Sequence, residues 1–475
     1  MLEPMKKALK FTVGAAAGLG LLAILLAVVC LDTVDYRPYF REPYYAETAA
    51  RLRVQAQTNQ LHEGILSAGF GRARLTPTVN ATNDDPAHGT FRSLPLAGYG
   101  NRHGRAAAGV HDDLFVKAVA LRVDNHLAVM LGADALIIPP EVTDEATARL
   151  ARENGLSREQ IYLSATHTHC SLGGWGQGWA TETASGPFQP GVRGWFADRI
   201  VEAVQNAIAD LKPARLGQGS FATPHWVRNR LVGGLGRIDP EFAYAVIQQN
   251  GGRPSVLGVF GAHATVQPPG MMEFSADYPG AWEKAVEEAT GGTAIFLGGG
   301  VGSHSPAADG NNFASAERMG RALARELAAD MANVVLTNRV TLGLLGLEVT
   351  MPPLGPRLAD NLRLRPWLAA KLLPARPQVF LQVLRLNDTV WAATPCDFSG
   401  ELALGLKDAA RARGHRAVIT SFNGDYIGYV VPHRYYHLNS YESRVMSFYG
   451  PNVPDYFVEL IRTMSGIVDH DEDPG

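Results

Sequence analysis

Residues 161–169, Ile-Tyr-Leu-Ser-Ala-Thr-His-Thr-His, contain a short apolar segment followed directly by two histidines spaced two apart. Residues 161–163 predict a short buried strand, so that His167 and His169 lie where this strand ends. Side chains two apart on an extended chain point to the same face. Two imidazoles converging there suit a metal ion and a proton-handling partner, whereas the alternative is two polar residues in a loop.

The composition around this stretch is that of an ordinary folded protein. The chain has 475 residues, of which 46% are hydrophobic and 19% charged, and its formal net charge is -3. This length suits two or three domains, or one large α/β domain with elaborations. We find no basic stripe with interleaved aromatic residues, so no nucleic-acid partner is expected.

The start of the chain predicts a membrane anchor. Residues 11–31 carry no charge and follow a lysine-containing segment, and a helix of this length spans ~30 Å of hydrocarbon. Basic residues before the helix, with Asp32 and Asp35 after it, favour a cytoplasmic N-terminus. We therefore expect a single-pass inner-membrane protein with its body on the extracytoplasmic side. The alternative is a cleaved signal peptide and a secreted protein, but no clean small-x-small cleavage site precedes residue 31.

The remaining chain alternates predicted strands with predicted helices. The strands fall at 116–123, 127–131, 256–260, 294–297, 379–386, 390–393 and 417–420, and the helices at 143–154, 195–211 and 317–332. Thr143 is the expected cap of the first of these helices, and Gly155 lies just past its end. The alternation predicts an α/β domain whose mixed sheet is flanked by helices.

The expected division of the chain follows from these patterns. Residues 1–31 are expected to form the anchor, residues 32–62 a juxtamembrane linker with a short polar helix, and residues 63–475 the main α/β domain. The proline-rich run of residues 352–377 is an excursion or a subdomain. The sequence indicates no oligomeric state.

Polar residues follow several of the predicted strands, namely His167, His169, His263, Ser303, His304, Ser305, Asp397, Tyr426 and Tyr429. In open α/β sheets, sites form beyond the carboxyl ends of the strands. If these ends cluster, they make a His/His/carboxylate centre, which is the composition of a catalytic zinc site. Taken singly, each residue also has a structural interpretation, as a core histidine, a strand cap or a packing tyrosine. The sequence lacks GxxxxGK[ST] and G-x-S-x-G, which disfavours a nucleotide site and an α/β-hydrolase serine.

These segments together resemble the catalytic domain of the neutral (non-lysosomal) ceramidases, which are zinc-dependent amidases. The resemblance spans roughly residues 65–445. It rests on residues 69–73 and 97–100, 164–169 (similar to SATHTHSG), Asn229-Arg230, 260–263 (similar to FA-x-H), 302–306 (similar to GDVSPN), 395–398 (similar to PGEF), and the tyrosines 426, 429 and 441. The order and spacing of these segments match the family pattern.

The resemblance implies a role for each matching residue. Four residues would hold zinc: His167, His263, Asp397 and Tyr429. His169 would face the substrate beside the metal and handle protons. Arg230 and Tyr441 would stabilise the developing oxyanion, and Ser305 would hydrogen-bond polar groups of the substrate. A metal that lowers the pKa of bound water toward ~7, with donors aimed at the oxyanion, is consistent with amide hydrolysis.

The sequence also departs from the family pattern. Asp397 replaces a glutamate, so the metal or the loop must shift to keep a ligand bond of ~2.0–2.2 Å. Ser303 replaces the aspartate of the GDVSPN loop, and Ala307 its asparagine. Cys170 and Cys396 each adjoin an expected site residue, which predicts a disulfide or contact between them, or one thiol close to the metal. Since the sequence ends soon after residue 441, we expect it to lack the β-sandwich domain that follows in the ceramidases.

The function implied by the resemblance is hydrolysis of the N-acyl amide bond of ceramide-like lipids by a membrane-anchored zinc enzyme. One alternative is a zinc hydrolase of another amide or ester, such as an N-acyl amino acid or a cell-envelope component. The other is a non-catalytic zinc- or ligand-binding homologue. His169, Arg230 and Tyr441 argue against the last interpretation, because zinc binding alone does not need them.

Overall fold

The structure is a computed structural model that describes residues 2–374 and 376–469. The remaining residues of the predicted anchor and catalytic domain, Met1, Ala375 and residues 470–475, lie outside the described part. The helices are α1 (Leu2–Cys30), α2 (Pro43–Thr58), α3 (Pro140–Asn154), α4 (Trp179–Ser185), α5 (Pro190–Ala209), α6 (Asp277–Thr290), α7 (Phe313–Met331), α8 (Pro366–Leu372), α9 (Gly400–Ala412) and α10 (Val453–Asp469).

The strands range from two to 14 residues in length. They are β1 (Leu31–Thr33), β2 (Leu61–Arg74), β3 (Gly109–Val110), β4 (Phe115–Val123), β5 (His126–Ala133), β6 (Ile161–Ala165), β7 (Lys212–Ala222), β8 (Val227–Asn229), β9 (Glu241–Gln249), β10 (Pro254–Phe260), β11 (Glu273–Phe274), β12 (Ala294–Gly298), β13 (His304–Pro306), β14 (Arg339–Thr350), β15 (Arg357–Ala359), β16 (Leu362–Leu364), β17 (Gln378–Leu386), β18 (Thr389–Ala393), β19 (Asp397–Phe398), β20 (Arg416–Thr420) and β21 (Tyr429–Val430).

A mixed 12-stranded sheet forms the centre of the molecule, in the order β12-β10-β9-β7-β2-β14-β17-β18-β20, with β4, β5 and β6 branching from β2. Three neighbouring pairs are parallel: β5 with β6, β10 with β12, and β18 with β20. The β4–β6 branch folds back over the rest, so that side chains of both layers share one apolar core. Gly132 permits this approach, because a Cβ there would lie 2.6 Å from the carbonyl oxygen of Phe296.

Helices cover the outer faces of this sheet in three groups, each over its own apolar cluster. Helices α3 and α5 pack over β2 and β4, helices α6 and α7 over β9, β10 and β12, and helices α9 and α10 over β14, β17 and β18. The predicted α/β class with a mixed sheet and flanking helices is confirmed. Because helices cover the faces of the sheet, the loops meet at the ends of its strands.

The predicted strands agree with the structure to within about two residues, whereas all three predicted helices begin earlier than predicted. Helix α7 starts at Phe313, directly after Asn312, whose side chain caps the helix by accepting a hydrogen bond from the Ser315 N–H. Helix α3 starts at Pro140, so Thr143 is not its cap and lies buried in the first turn. Helix α5 starts at Pro190. Proline at the first helical position has its φ already set for the helix and needs no hydrogen-bond partner, which explains the early starts of α3 and α5. Gly155 ends α3 with a φ of 68°, as predicted.

Helix α1 is exposed over its described apolar part, and Lys10–Cys30 is long and apolar enough to cross a membrane. The segment after it is folded against the body. Strand β1 pairs with β16, and α2, within the expected linker, packs on β14 with Leu52 in the core. The proline-rich run carries β15, β16 and α8, and β1 joins these two strands in a separate three-stranded sheet.

Candidate metal centre

The loops that follow β6, β10, β18 and β20 bring the expected metal ligands together. His167 lies two residues past β6, and His263 three residues past β10. Asp397 opens β19 and Tyr429 opens β21, and these two residues are paired in a short parallel bridge. All four side chains are buried. The site is therefore built at the carboxyl ends of parallel strands, as the sequence predicts.

The two histidines face each other through one nitrogen each. His167 Nε2 lies 3.0 Å from His263 Nε2. His167 Nδ1 donates to the Leu136 carbonyl at 2.7 Å, and His263 Nδ1 donates to the Val301 carbonyl at 2.9 Å. Because a carbonyl oxygen only accepts, each neutral ring carries its proton on Nδ1 and presents a bare Nε2. Such backbone partners are typical of metal-ligating histidines.

Asp397 and Tyr429 add two oxygen atoms to the same point. Asp397 Oδ1 lies 3.2 Å from His167 Nε2 and 3.4 Å from His263 Nε2. Among the residues described, this buried oxygen has no hydrogen-bond partner. The Tyr429 hydroxyl lies 3.1 Å from His263 Nε2. The other carboxylate oxygen, Oδ2, accepts a hydrogen bond from the Tyr426 hydroxyl at 2.8 Å.

This donor set fits a metal ion. Lone pairs on two neutral imidazoles and an orphaned carboxylate oxygen repel one another in a dry site, and a cation between them removes that cost. The separations of 3.0–3.4 Å between ligand atoms resemble the edges, of about 3.3 Å, of a tetrahedron with ligand bonds of ~2.0–2.1 Å. Nitrogen and oxygen ligands of this kind are those of zinc sites.

Backbone strain marks the same place. His167 has a φ of 63° and Phe422 a φ of 66°, both in the left-handed region that side chains with a Cβ rarely adopt. Their rings stack at 4.2 Å with an angle of 6° between the planes. Strain of this kind persists where the surroundings over-determine the conformation, which is common at functional sites. The stack fixes the plane of the His167 ring.

His169 adjoins the group but differs from its neighbours. Its Nε2 lies 3.4 Å from His167 Nε2, so His167, His169 and His263 form a group able to bind a metal. Unlike the other two histidines, its buried Nδ1 has no partner within the described residues. The ring packs against Tyr99 at 4.5 Å. Burial, with the nearby charge of Arg230 and the His167 ring, lowers the pKa of His169 well below its usual value.

Arg230 and Tyr441 lie on the open side of the centre. Arg230 Nη2 donates to the Tyr429 hydroxyl at 3.0 Å, and Arg230 Nε pairs with Glu442 at 2.8 Å. The Tyr441 ring meets the Tyr429 ring edge-on at 5.6 Å and stays half-exposed. Burial of the hydroxyl and the charge of Asp397 raise the pKa of Tyr441 to about 12. Both residues remain proton donors at neutral pH and contact Tyr429.

Ser305 lies on β13, which pairs with β8 beside Arg230. Its hydroxyl accepts a hydrogen bond from Arg228 Nε at 3.0 Å. Ser305 therefore lies near the site because β13 pairs with β8, the strand that precedes Arg230. No hydrogen bond or ion pair joins it to the four converging residues in the described chain.

The structure contradicts the expected disulfide. Cys170 and Cys396 are both free and buried. The Cys170 sulfur accepts from Arg102 Nη2 at 3.5 Å, whereas Cys396 belongs to the apolar cluster over β14 and β17. The two cysteines adjoin His169 and Asp397 in sequence, but their sulfurs lie in different surroundings.

Sequence reasoning missed several residues that shape the site. Tyr426 belongs to a segment that resembles the family, but the sequence indicates no role for it. Glu442 has no sequence signature beyond its position after Tyr441. The carbonyls of Leu136 and Val301 are backbone groups, which no side-chain pattern reveals. The stacking of Phe422 on His167 joins segments distant in sequence and has no local signature.

Comparisons with known proteins relate this chain to the ceramidases. A family model described as neutral/alkaline non-lysosomal ceramidase, N-terminal, matches residues 84–230. A neutral ceramidase of Pseudomonas aeruginosa is 26% identical over 257 residues, which is 50% of this chain and 36% of that protein. A neutral ceramidase of Mycobacterium tuberculosis is 28% identical over 258 residues, which is 50% of this chain and 38% of that protein. The matched part thus spans less than two fifths of either relative.

Solved structures extend the likeness in fold. The crystal structure of neutral ceramidase from Pseudomonas aeruginosa superposes with a TM-score of 0.71 at 20% identity, covering 86% of this chain and 75% of that one. A structure described as ceramidase complexed with C2 gives a TM-score of 0.71 at 20% identity, over 86% and 76% of the two chains. The fold is therefore shared well beyond the residues that the family model matches.

Proposed function

Because the chain belongs to the neutral/alkaline non-lysosomal ceramidase family, we propose that it is a membrane-anchored, zinc-dependent amidase acting on ceramide-like lipids. The observation that carries this proposal is the convergence of His167 Nε2, His263 Nε2 and the orphaned Asp397 Oδ1. The reaction adds water across an N-acyl amide: the carbon–nitrogen bond breaks, a carbon–oxygen bond forms, and the products are a fatty acid and an amine.

The ligands are His167, His263, Asp397 and Tyr429. A zinc ion held by them supplies a Lewis acid that lowers the pKa of water and polarises a carbonyl. The shorter Asp397 is compatible with this set, since its Oδ1 already lies 3.2 Å and 3.4 Å from the two Nε2 atoms. The hydrogen bond from Tyr426 to the other oxygen, Oδ2, leaves Oδ1 as the atom free for the metal.

The surrounding residues bind and orient the amide. Arg230 is held by Glu442 and by the Tyr429 hydroxyl, so its guanidinium is a preorganised donor for the oxyanion. Tyr441 offers a second donor at the mouth of the site. His169 is neutral because of its low pKa, and its Nδ1 has no partner in the described chain. It accepts the proton that water releases and passes it to the leaving amine. Ser305 hydrogen-bonds polar groups of the substrate.

Helix α1 places this chemistry at a bilayer. The candidate span Lys10–Cys30 anchors the protein in the inner membrane, with the catalytic body on the extracytoplasmic side. A lipid amide is sparingly soluble in water, so an enzyme held at the bilayer surface meets it where it is concentrated. The membrane and a lipid or other N-acyl amide substrate are therefore the proposed partners.

Metal analysis and a substrate panel test this proposal. The full chain in detergent is analysed for zinc, and hydrolysis is measured on ceramide-type lipids, short-acyl soluble amides, N-acyl amino acids and esters. His167→Ala is the test variant, and His433→Ala, at an exposed histidine paired with Asp455, is its matched control. We expect one zinc per chain and ceramide hydrolysis, both lost in H167A and kept in H433A.

Other results would contradict parts of the proposal. Hydrolysis confined to N-acyl amino acids or esters would make the protein a zinc hydrolase of other substrates. A zinc-loaded chain that is inert on the whole panel would be a non-catalytic homologue. Unchanged zinc content and activity in H167A would show that the metal assignment is wrong.

A further inference from the structure

Helix α1 does not leave the body through a free linker. Its last carbonyls are hydrogen-bonded by residues far along the chain: Arg365 donates its backbone N–H to the Cys30 carbonyl at 2.8 Å, and Trp367 donates its indole N–H to the Val29 carbonyl at 3.3 Å. Strand β1, which continues α1 directly, pairs with β16. The end of the candidate span is thus fixed to the segment of residues 357–372, which we call the platform.

The platform exposes large apolar side chains to solvent. Leu358 is 56% exposed, Leu362 37%, Trp367 47% and Leu372 46%. These residues come from β15, β16 and α8, and therefore from three consecutive elements of one small unit. Several exposed apolar residues within one small unit indicate an interaction surface.

The occupant of this surface follows from its bond to α1. Val29 and Cys30 lie in the last turn of the candidate span, so groups that donate to their carbonyls lie at the level where the span leaves the hydrocarbon. Tryptophan prefers this level, because its ring is apolar and its N–H needs an acceptor. Lys371 and Arg365 add cations that suit lipid headgroups. A bilayer therefore fits the platform.

The platform is also bonded to the mouth of the candidate metal centre. Arg357 on β15 donates to the Ser443 carbonyl at 2.8 Å, and Arg444 pairs with Asp360 between β15 and β16. Ser443 and Arg444 lie in the single π-helical turn Tyr441–Val445. This turn carries Tyr441, whose ring contacts that of Tyr429. A short chain of bonds thus runs from the membrane span to the site.

We propose that the platform, residues 357–372, rests on the bilayer that α1 spans and holds the mouth of the site at a fixed position above it. A lipid amide then passes from the membrane to Tyr441 without first dissolving in water. This inference rests on the membrane anchor of the proposed function and adds to it a second, interfacial contact. It gives a function to the proline-rich run, which the sequence leaves without one.

Fluorescence quenching by lipids tests the platform on the full chain. In a Cys30→Ser background, in which Cys170 and Cys396 are buried, an environment-sensitive dye is attached to Leu372→Cys. The matched control is Val335→Cys, which is 85% exposed and precedes β14 at the opposite end of that strand from the platform. The labelled proteins are reconstituted in phosphatidylcholine–phosphatidylglycerol vesicles with or without headgroup-proximal spin-labelled lipid.

We expect the dye at position 372 to lose about half of its fluorescence or more to the spin label, because interfacial residues lie within the headgroup and acyl boundary. The dye at position 335 should lose little. A Leu362→Cys variant repeats the measurement in case substitution at 372 disturbs α8. Equal quenching at the platform and at position 335, or failure of the chain to stay with the vesicles, would overturn the proposal.

Quenching of the dye depends on neither zinc nor catalysis. The experiment therefore tests the membrane contact of the platform independently of the proposed amidase function. If the dye on the platform is quenched but the protein hydrolyses no amide, the membrane contact of the platform is supported and the amidase function is contradicted. If the protein hydrolyses amides but the dye on the platform is not quenched, the amidase function is supported and the membrane contact is contradicted. In the active case, Trp367→Ser with Leu372→Ser should slow hydrolysis of vesicle-embedded lipid several-fold and leave short-acyl soluble amides unaffected. Equal slowing of both substrates would contradict the platform.

Discussion

His167 and His263 present bare Nε2 atoms to each other at 3.0 Å, while each Nδ1 is committed to a backbone carbonyl. Only a cation, or a proton shared at a buried site, makes this contact favourable. The low pKa of His263, which is caused by burial and by the charge of Arg230, opposes the proton. The contact is therefore the arrangement expected of two histidines that share a metal ion.

Metal removal should destabilise the protein. A ligand that binds only the folded state stabilises it by RT ln(1 + [L]/Kd), which is about 4 kcal/mol at a thousandfold excess over Kd. We expect zinc to raise the melting temperature of the chelator-treated chain by several degrees, measured by differential scanning fluorimetry. His167→Ala should abolish this response, and His433→Ala should retain it. A melting temperature indifferent to zinc and chelator in the unmodified chain would be incompatible with the centre.

His169 should separate catalysis from metal binding. Since its Nδ1 makes no hydrogen bond within the described residues, it lacks the carbonyl partner that orients the two proposed ligand histidines. His169→Gln should keep zinc content near that of the unmodified chain and lower kcat by about 10²- to 10⁴-fold, the usual contribution of a general acid–base group. Loss of zinc in H169Q would instead place His169 among the ligands.

Tyr426 should act through Asp397. Its hydroxyl donates to Asp397 Oδ2 at 2.8 Å and leaves Oδ1 toward the histidines. Tyr426→Phe should weaken zinc affinity about 10- to 100-fold, as loss of an outer hydrogen bond to a ligand does, with full activity restored at high zinc concentration. Tyr36→Phe, at a surface tyrosine that contacts His437, is the control. Activity that falls at saturating zinc would exclude a role through the ligand.

Much of this site could be predicted because its residues follow strands whose periodicity is clear. Residues 161–169 and 256–263 each contain an apolar run and a histidine just past it, and this local pattern places both histidines at strand ends. Asp397 and Tyr429 also follow predicted strands, but their bridge depends on two loops meeting, so only the resemblance to a family indicates that both are ligands. The stack of Phe422 on His167 depends on tertiary contact alone.

The errors have physical causes as well. The disulfide prediction assumed that neighbours of converging residues also converge, but the two sulfurs lie in different surroundings. Thr143 resembles a helix cap in sequence, yet Pro140 begins the helix one turn earlier. Tertiary packing places the two sulfurs apart, and the backbone preference of Pro140 moves the helix start away from Thr143. Neither effect can be seen in the local sequence of the residue concerned.

Glu442 should matter for catalysis through Arg230. The carboxylate lies 2.8 Å from Arg230 Nε, whereas Nη2 of the same guanidinium donates to Tyr429. Arg230→Lys keeps the charge but loses the planar fork, so it should lower kcat at least about 10²-fold, as loss of an oxyanion donor does. Glu442→Gln should lower kcat less and leave zinc content unchanged. If the double variant loses no more than R230K, the two residues act as a unit, whereas additive losses would contradict the positioning role.

Asp277 should make stability depend on pH. Burial raises the pKa of this carboxyl to about 7, against hydrogen bonds from the backbone N–H groups of Gln267 and Tyr278, and the nearby Asp112 also raises it. Between the ordinary pKa of 3.8 and about 7, the unfolded chain has released a proton that the folded chain still holds. The free energy of unfolding therefore falls as pH rises through this window, by up to ~1.4 kcal/mol per pH unit from this group.

The check is the melting temperature of the full chain between pH 5 and pH 8. Asp277→Asn should flatten the fall of melting temperature over this range, whatever constant cost the lost hydrogen bond adds at every pH. Asn also tolerates the φ of 56° at this position. Asp309→Asn is the matched control, since Arg318 lowers the pKa of that exposed carboxyl and it titrates below the window. Parallel curves for D277N and the unmodified chain would show that Asp277 is ionised in the folded protein throughout.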